Sequence, residues 1–403
     1  MINLEATEQI KQLQTNINNL SKSVLRPIAR KYDENEHQYP KELDMFRGMK
    51  LMGGGKKKKK DGDAKPDKAA ADKPGPKRLG ANLATAISVA EMCWGDAGLL
   101  LSLPGAGLGN AAISAVATEE QMERFGDKWA AMAITEPGSG SDSGSITTTA
   151  RLEGNEWVLN GEKIFVTCAD RCDVVVVWAT VDKSAGKGGI KSFVVEKGRP
   201  GFKLEKLEHK MGIRASDTGT FVLDDCRIPK ENLLGSAEVK QTTEGFKGVM
   251  KTFDNTRPLV ASMSIGIAKA SIDFTREKIE ESGIKLDYSK NANNVSSIEK
   301  EFYLMEANLE AMRLLTWRAA WMADNGAFNN LEASMCKAKA GRYGTLITQK
   351  CCELLGPLGY SCDNLAEKWM RDSKIMDIFE GTGQIQHLIV ARNVLEFSSK
   401  QLK

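Results

Sequence analysis

Apolar residues near the start of the chain recur every three or four positions: Ile10, Leu13, Ile17, Leu20, Val24 and Leu25. That spacing is one face of a helix and predicts helical structure through residues 1–50. The pattern stops at residues 53–80, a Gly/Pro/Lys/Asp-rich stretch with no large apolar residue before Leu79. Such a stretch cannot bury enough surface to offset its ordering entropy, so it reads as a disordered loop inside a helical region. Helical periodicity resumes from Ala81 to about Glu123. Near residue 130 the period changes to two. Trp157-Val158-Leu159 and Lys163–Thr167 flank Asn160-Gly161, a dipeptide that favours tight turns, and the segment predicts two short strands around a hairpin. Further strands are expected at 173–181, 191–195 and 220–223. Beyond about residue 243, helices are expected over 261–282, 296–325, 330–355 and 384–397, punctuated by Gly and Pro near 356–359 and by Gly381 and Gly383. The expected divisions are a helical part over 1–125, a β part over 126–238 and a second helical part over 239–403.

Composition narrows the class. With 403 residues, 41% apolar and 27% charged, the chain has ordinary globular composition and room for more than one core. No apolar run approaches the ~20 residues of a membrane span. The start of the chain lacks the apolar segment of a secretory signal, so a cytoplasmic location is expected. Eight cysteines and three histidines show no metal-ligand spacing, and no metal site is expected from sequence. The net charge of +3 is local in origin: residues 53–80 carry +6 and the rest of the chain −3. The Lys run lacks interleaved aromatics, which argues against nucleic acid as a partner. Gly105-Ala106-Gly107-Leu108-Gly109-Asn110 lacks the last glycine of a dinucleotide fingerprint and follows a helical pattern, which excludes that reading.

Four segments have the residue types that chemistry needs. Thr135-Glu136-Pro137-Gly138-Ser139-Gly140-Ser141-Asp142 offers hydroxyls and open backbone N–H groups for an anion or a heteroaromatic edge. Phe165 and Thr167 are two apart on an expected strand and so share a face. Phe253-Asp254-Asn255-Thr256-Arg257-Pro258 is expected at the start of a helix. In Arg371–Gln386 a carboxylate, Glu380, follows an apolar stretch and precedes glycine, and Thr382 is placed to cap the next helix. Each alone fits a bland account: a flexible loop, strand alternation, a surface turn or a solvated helix-end glutamate.

In this order, together with Lys210–Gly219 (KMGIRASDTG), the segments resemble the acyl-CoA dehydrogenase family over nearly the whole chain outside 53–80. The resemblance implies an α+β, mainly α fold: a helical N-terminal domain, a middle β-barrel-like domain and a C-terminal four-helix bundle. It also implies FAD, an acyl-CoA substrate, an electron-transfer flavoprotein as electron acceptor, and assembly into a homotetramer or homodimer. By the same resemblance Glu380 is the catalytic base. Thr135 and Thr167 bond the flavin ring, Phe165 packs on it, and Ser141 contacts flavin or CoA phosphate. Phe253, Asp254, Arg257 and Gly381 line the substrate site. Arg276, Gly356, Gly359, Thr382 and Gln384 serve the rest of FAD. Some family members carry the base just ahead of the arginine matching Arg257; here that residue is Thr256, which leaves Glu380.

The chain departs from the family at three places. The family's Arg-x-x-Phe-Gly aligns with Arg276–Glu280 without the Phe-Gly, and a following Gln falls at Ser296. A Gln-x-x-Gly-Gly-x-Gly run aligns with Glu353–Gly359, and residues 53–80 replace a family loop. The competing readings are a non-catalytic acyl-CoA-binding subunit, or an oxidase or enoyl-CoA reductase on the same fold.

Overall fold

The computed structural model describes residues 5–46, 79–105, 108–239, 244–291, 293–398 and 401–402, with backbone only along 244–255. The expected loop over 53–80 lies outside the described residues except for Leu79 and Gly80.

The N-terminal helices begin with α1 (Glu8–Leu20), where the Thr7 hydroxyl accepts from the Ile10 amide and so caps the first turn. The chain continues through short π and 3-10 turns into α2 (Ala29–Glu34). It returns as α3 (Ala81–Gly95), α4 (Ala97–Leu100), α5 (Gly109–Val116) and α6 (Glu119–Phe125). The α3 start has no cap of its own. Asp324, from far along the chain, accepts from the Asn82 and Leu83 amides at 2.8 and 3.0 Å and supplies it. Thr118 and Gln121 close a capping box on α6.

Eight strands follow: β1 (Ala130–Ala133), β2 (Thr149–Glu153), β3 (Glu156–Thr167), β4 (Val174–Thr180), β5 (Ile190–Glu196), β6 (Phe202–Leu207), β7 (Thr218–Pro229) and β8 (Leu233–Leu234). Their order is β6-β7-β3-β2-β4-β5-β8, with β1 added parallel to β4. The halves join through one pairing, Thr149 with Thr180, and side chains from both halves, including Trp157, Phe193, Phe202 and Phe221, fill a shared core. This is the expected barrel-like arrangement. In β4 every residue is buried. Val175 and Val177 face that core, while Val174 and Val176 pack with Ile113 and Phe125 of the covering helices. Strand alternation thus supplies two cores from one run of valines.

The expected hairpin at Asn160-Gly161 is not there. Both residues lie inside β3, one continuous strand with a register shift between Leu159 and Gly161. The Asn160 side chain donates to the Asp225 carboxylate of β7 at 3.0 Å and accepts from the Asp225 amide at 2.9 Å, which holds the bulge in the sheet. The turn occurs six residues earlier, at Gly154-Asn155, where Glu153 pairs with Glu156 and Gly154 takes φ 61°. β1, β2, β6 and β8 were not among the expected strands.

The C-terminal bundle consists of α7 (Glu244–Glu281), α8 (Ser297–Asp324) and α9 (Asn330–Leu355), followed by α10 (Pro357–Tyr360), α11 (Ala366–Ser373) and α12 (Gly383–Leu395). The segment expected at a helix start, Phe253–Pro258, instead lies well inside α7, with Pro258 in the helix. α7 and α9 approach closely: Ser264 Oγ donates to the Ala340 carbonyl at 2.7 Å, and a Cβ on Gly344 would sit 2.0 Å from that hydroxyl. Ser296 and Glu299 form a capping box at the start of α8.

One buried ammonium ties these parts together. Lys368 of α11 is fully buried, with Asp96 and Asp372 about it. Asp96 caps α4 by accepting from the Leu99 amide at 2.8 Å, and Asp372 accepts from the Ile213 amide at 2.5 Å. Burial works to deprotonate Lys368, but the two carboxylates outweigh it and hold its pKa above the usual value. Removing one member of such a cluster strands buried charge. Lys368→Met is expected to destabilise the chain by about 3–5 kcal/mol, read as a lower urea midpoint. An unchanged midpoint would show that Asp96 and Asp372 find other partners.

Candidate functional site

The Thr135–Asp142 segment leaves the end of β1 as a loop, and its conformation is fixed by a residue the sequence reading passed over. Glu136 is buried and accepts from the Thr147 amide and hydroxyl (2.6 and 2.7 Å), the Thr148 amide (3.0 Å) and Lys163 Nζ (2.7 Å). Lys163 also donates to the Ile134 carbonyl at 3.0 Å. Burial opposes ionisation of Glu136, yet these bonds, Lys163's foremost, push its pKa down to about 2. Burial lowers Lys163 to about 8 against the pull of Glu136, so the pair stays charged at neutral pH. A glutamate followed directly by Pro137 and the Gly/Ser run was the available signal. Around this clamp Thr135 is half-buried, Ser141 is exposed, and Gly138 and Gly140 have open space where a side chain would project.

The Thr135 carbonyl accepts from the Ile164 amide at 2.9 Å, which joins the loop to β3 beside Phe165 and Thr167. Phe165 is not in regular strand alternation. A second register shift lies between Lys163 and Val166. Phe165 has φ 58° and is 62% exposed, and Thr167 is half-buried. A non-glycine residue held left-handed to present a bare aromatic face is a costly arrangement of the kind found at ligand sites.

Glu380 sits in the turn between the 3-10 segment Lys374–Asp377 and α12. Its φ is 58° and that of Gly381 is 86°. Lys337 Nζ, buried on α9, donates to the Gly381 carbonyl at 2.6 Å. Gln386 Nε2 donates to the Glu380 and Gly381 carbonyls at 3.4 and 3.2 Å. Thr382 caps α12, its hydroxyl accepting from Ile385 N. From α7, Thr256 Oγ1 donates to Glu380 Oε2 at 2.8 Å. Burial raises the Glu380 pKa, and the Thr256 bond and the charges of Lys337 and Arg257 pull it back only in part. Burial also lowers Lys337 to about 8, although Asp377 and Glu380 favour its charge. Arg257 is buried, with a guanidinium nitrogen 3.4 Å from the Ser334 hydroxyl. The structure therefore gathers Glu380, Gly381, Thr256 and Arg257 in one place. Lys337 and Gln386 belong with them and were missed from sequence, because nothing in α9 marks Lys337 apart from other helical lysines.

Phe253 and Asp254 fall on α7, and their side chains lie outside the described residues. Gly356 ends α9 with φ 57°, and Gly359 is packed so that a Cβ would lie 2.2 Å from the Cys352 carbonyl. Gln384 is exposed on the first turn of α12. Arg276 is taken up within the chain: it pairs with Glu306 and donates to the Tyr288 hydroxyl at 2.8 Å. Ser296 is occupied by its capping role. Glu353 is exposed and paired with Lys350 at 2.7 Å.

The KMGIRASDTG segment ties the loop before β7 to α11. Gly212 lies so close to α11 that a Cβ would sit 2.5 Å from the Arg371 carbonyl. The Met211 carbonyl accepts from Arg371 Nη1 at 2.8 Å. No helix among the described residues is long and apolar enough to cross a membrane.

Residues 131–226 match the acyl-CoA dehydrogenase middle domain, and residues 243–395 match the acyl-CoA dehydrogenase C-terminal domain. A short-chain specific acyl-CoA dehydrogenase of Clostridium acetobutylicum is 31% identical over 94% of this chain and 96% of its own length. The mitochondrial short-chain specific acyl-CoA dehydrogenase of Rattus norvegicus is 41% identical over 67% of this chain, a match that spans 64% of the rat protein. The structure of butyryl-CoA dehydrogenase from Megasphaera elsdenii superposes with a TM-score of 0.81 at 29% identity, covering 98% of this chain and 100% of that one. With both domain models in chain order and a relative matched end to end, this chain belongs to the acyl-CoA dehydrogenase family.

Proposed function

We propose that this chain dehydrogenates a short acyl-CoA thioester to its trans-2-enoyl-CoA, with Glu380 as the base and FAD as the cofactor. The observation that carries the reading is the Glu380 turn: a strained, half-buried carboxylate with a raised pKa, gripped through Thr256 and backed by Lys337. The short-chain names of relatives support the substrate class.

The residues suit a flat heteroaromatic cofactor: Phe165 offers a bare ring face, Thr135 and Thr167 offer hydroxyls beside it, and the glycine loop has open backbone. When bound, FAD supplies the acceptor for the substrate's β-hydride. Glu380 takes the α-proton, and its raised pKa brings the carboxylate closer to the range where proton transfer is efficient near neutral pH. The Thr256 bond fixes the direction of that carboxylate. Lys337 holds the Gly381 carbonyl, so it keeps the turn in its left-handed form and tempers the rise in the base's pKa. Arg257, Phe253, Asp254, Gly381 and Ser141 are assigned to the CoA thioester by family resemblance, and Gly356, Gly359, Thr382 and Gln384 to the far end of FAD. Electrons pass on to an electron-transfer flavoprotein, and a homotetramer or homodimer is the working form in this reading. Reoxidation by air rather than by such a flavoprotein would identify an oxidase instead.

Glu380→Gln is expected to lower turnover by at least ~10²–10⁴-fold while acyl-CoA still binds, as for loss of a general base. The same variant is expected to be more stable than the parent at neutral pH, by about 1 kcal/mol. The sign follows from the raised pKa. A carboxyl that holds its proton more tightly when folded favours folding below its unfolded pKa, and that contribution is lost as pH rises through the folded pKa. The stability gap between variant and parent therefore closes in acid. Near-parental turnover would remove Glu380 from the role of base.

Lys337→Met removes a charge that lowers the Glu380 pKa. The acid limb of the kcat/KM profile is then expected to move to higher pH, with a smaller loss of turnover than Glu380→Gln causes. A limb that stays put would limit Lys337 to packing.

FAD retention is expected to be weak. Arg276 is engaged by Glu306 and Tyr288, Ser296 caps α8, and Lys278 is paired with Glu277 and Glu281. Loss of one charge-assisted phosphate contact, about 1.5–3 kcal/mol, weakens binding roughly tenfold to a hundredfold. Titration of apo-protein with FAD checks this, and added FAD should raise the thermal midpoint. A low nanomolar dissociation constant would mean that other residues hold the pyrophosphate.

A further inference from the structure

Two of the chain's three histidines meet at a place that takes no part in the proposed chemistry. Glu36 and His37 follow α2, and His209 follows β6, 173 positions from Glu36. One ligating atom from each of the three residues lies within 4.8 Å of the others. His209 Nδ1 is 3.0 Å from Glu36 Oε2, and the two imidazole centroids are 5.2 Å apart. Sequence spacing excluded a metal site; folding assembles the ligand set that spacing did not show.

His37 supplies the second observation. Both of its ring nitrogens are buried, and neither has a hydrogen-bond partner among the described residues. A neutral imidazole carries one donor and one acceptor, and folded proteins rarely bury both unsatisfied. Its backbone is also held left-handed, with φ 70°. The loop is pinned by the Lys210 amide donating to Glu36 Oε1 at 2.8 Å and by Arg171 donating to the Gln38 carbonyl at 3.1 Å.

We propose that Glu36, His37 and His209 form a site for a zinc-class divalent cation that pins the segment after α2 to the segment after β6. Two imidazoles and a carboxylate are zinc ligands in type and number, and water fills the fourth position at the open side. Metal–nitrogen bonds of ~2.0–2.1 Å require the ligand atoms to draw together by roughly an ångström. His209, 86% exposed, is free to make that movement. Lys210 opposes the ion: its ammonium lies 3.8 Å from Glu36 Oε1, though it donates to the Ser216 carbonyl at 2.7 Å. Affinity is therefore expected in the micromolar range, about −8 kcal/mol by conversion.

The test uses the full chain as purified, stripped with EDTA and dialysed against zinc chloride at neutral pH. Metal content and thermal midpoint are then measured. About one zinc per chain is expected, with a midpoint that rises with zinc concentration. His209→Ala, a change at an exposed side chain, should weaken binding by about tenfold or more and remove the rise. His37→Gln should do the same, while Cys362→Ser, at an exposed thiol, should leave both unchanged. Absence of stoichiometric zinc, or zinc retained undiminished in His209→Ala, overturns the proposal. Loss of the bound zinc in Cys362→Ser places the metal on the thiol and overturns it equally.

Discussion

The arrangement of this chain depends on Lys368. A buried ammonium between two buried carboxylates is expensive to desolvate, and it persists because each carboxylate has a second task. Asp96 caps α4, and Asp372 fixes the amide of Ile213. The N-terminal helices, the loop that leads into β7 and the C-terminal bundle therefore share one electrostatic node. Gly212 lies against the backbone of Arg371, beside that node. Arg371 reinforces it by pairing with Asp33 at 2.6 Å and Glu367 at 2.7 Å. Asp372 is also in the segment that runs on to Glu380, so the node that holds the sheet against the bundle anchors the approach to the Glu380 turn.

The Glu380 turn shows what such anchoring permits. A glutamate at φ 58° in a desolvated position is unfavourable twice over, in backbone strain and in lost hydration of the carboxylate. Contacts from three elements hold it there: Thr256 from α7, Lys337 from α9 and Gln386 from α12. None of the three cancels the rise in pKa. Fixed direction and incomplete charge compensation belong together in a general base, because full compensation would return the carboxylate to its weak basicity in water. The β side uses the opposite strategy. Glu136 is almost completely satisfied by Lys163 and the Thr147-Thr148 backbone, and its pKa falls to about 2. The buried Glu136 serves as scaffold, whereas the half-buried Glu380 is the proposed reagent, and their hydrogen bonds distinguish them.

Sequence alone determined a good deal here. Helical and strand periods placed the helical, β, helical order, because the apolar stripe of a helix and the alternation of a strand are local patterns. The Thr382 cap is legible for the same reason: an N-cap acts on an amide three residues away. Motifs in order identified the family. What failed was what distant partners decide. Asn160-Gly161 has the residues of a turn, yet pairing with Asp225 keeps it in the sheet as a bulge, and the chain turns at Gly154-Asn155. Phe165 was placed by strand alternation and is set instead by a bulge and a left-handed backbone. Lys337, Lys163 and Lys368 look like any lysines in the sequence. They became structural only when tertiary contacts removed their water and supplied a carbonyl or a carboxylate in its place. The encounter of Glu36 and His37 with His209 is of the same kind. Local periodicity and local capping are written in neighbouring residues, whereas burial of charge depends on the whole fold closing around it.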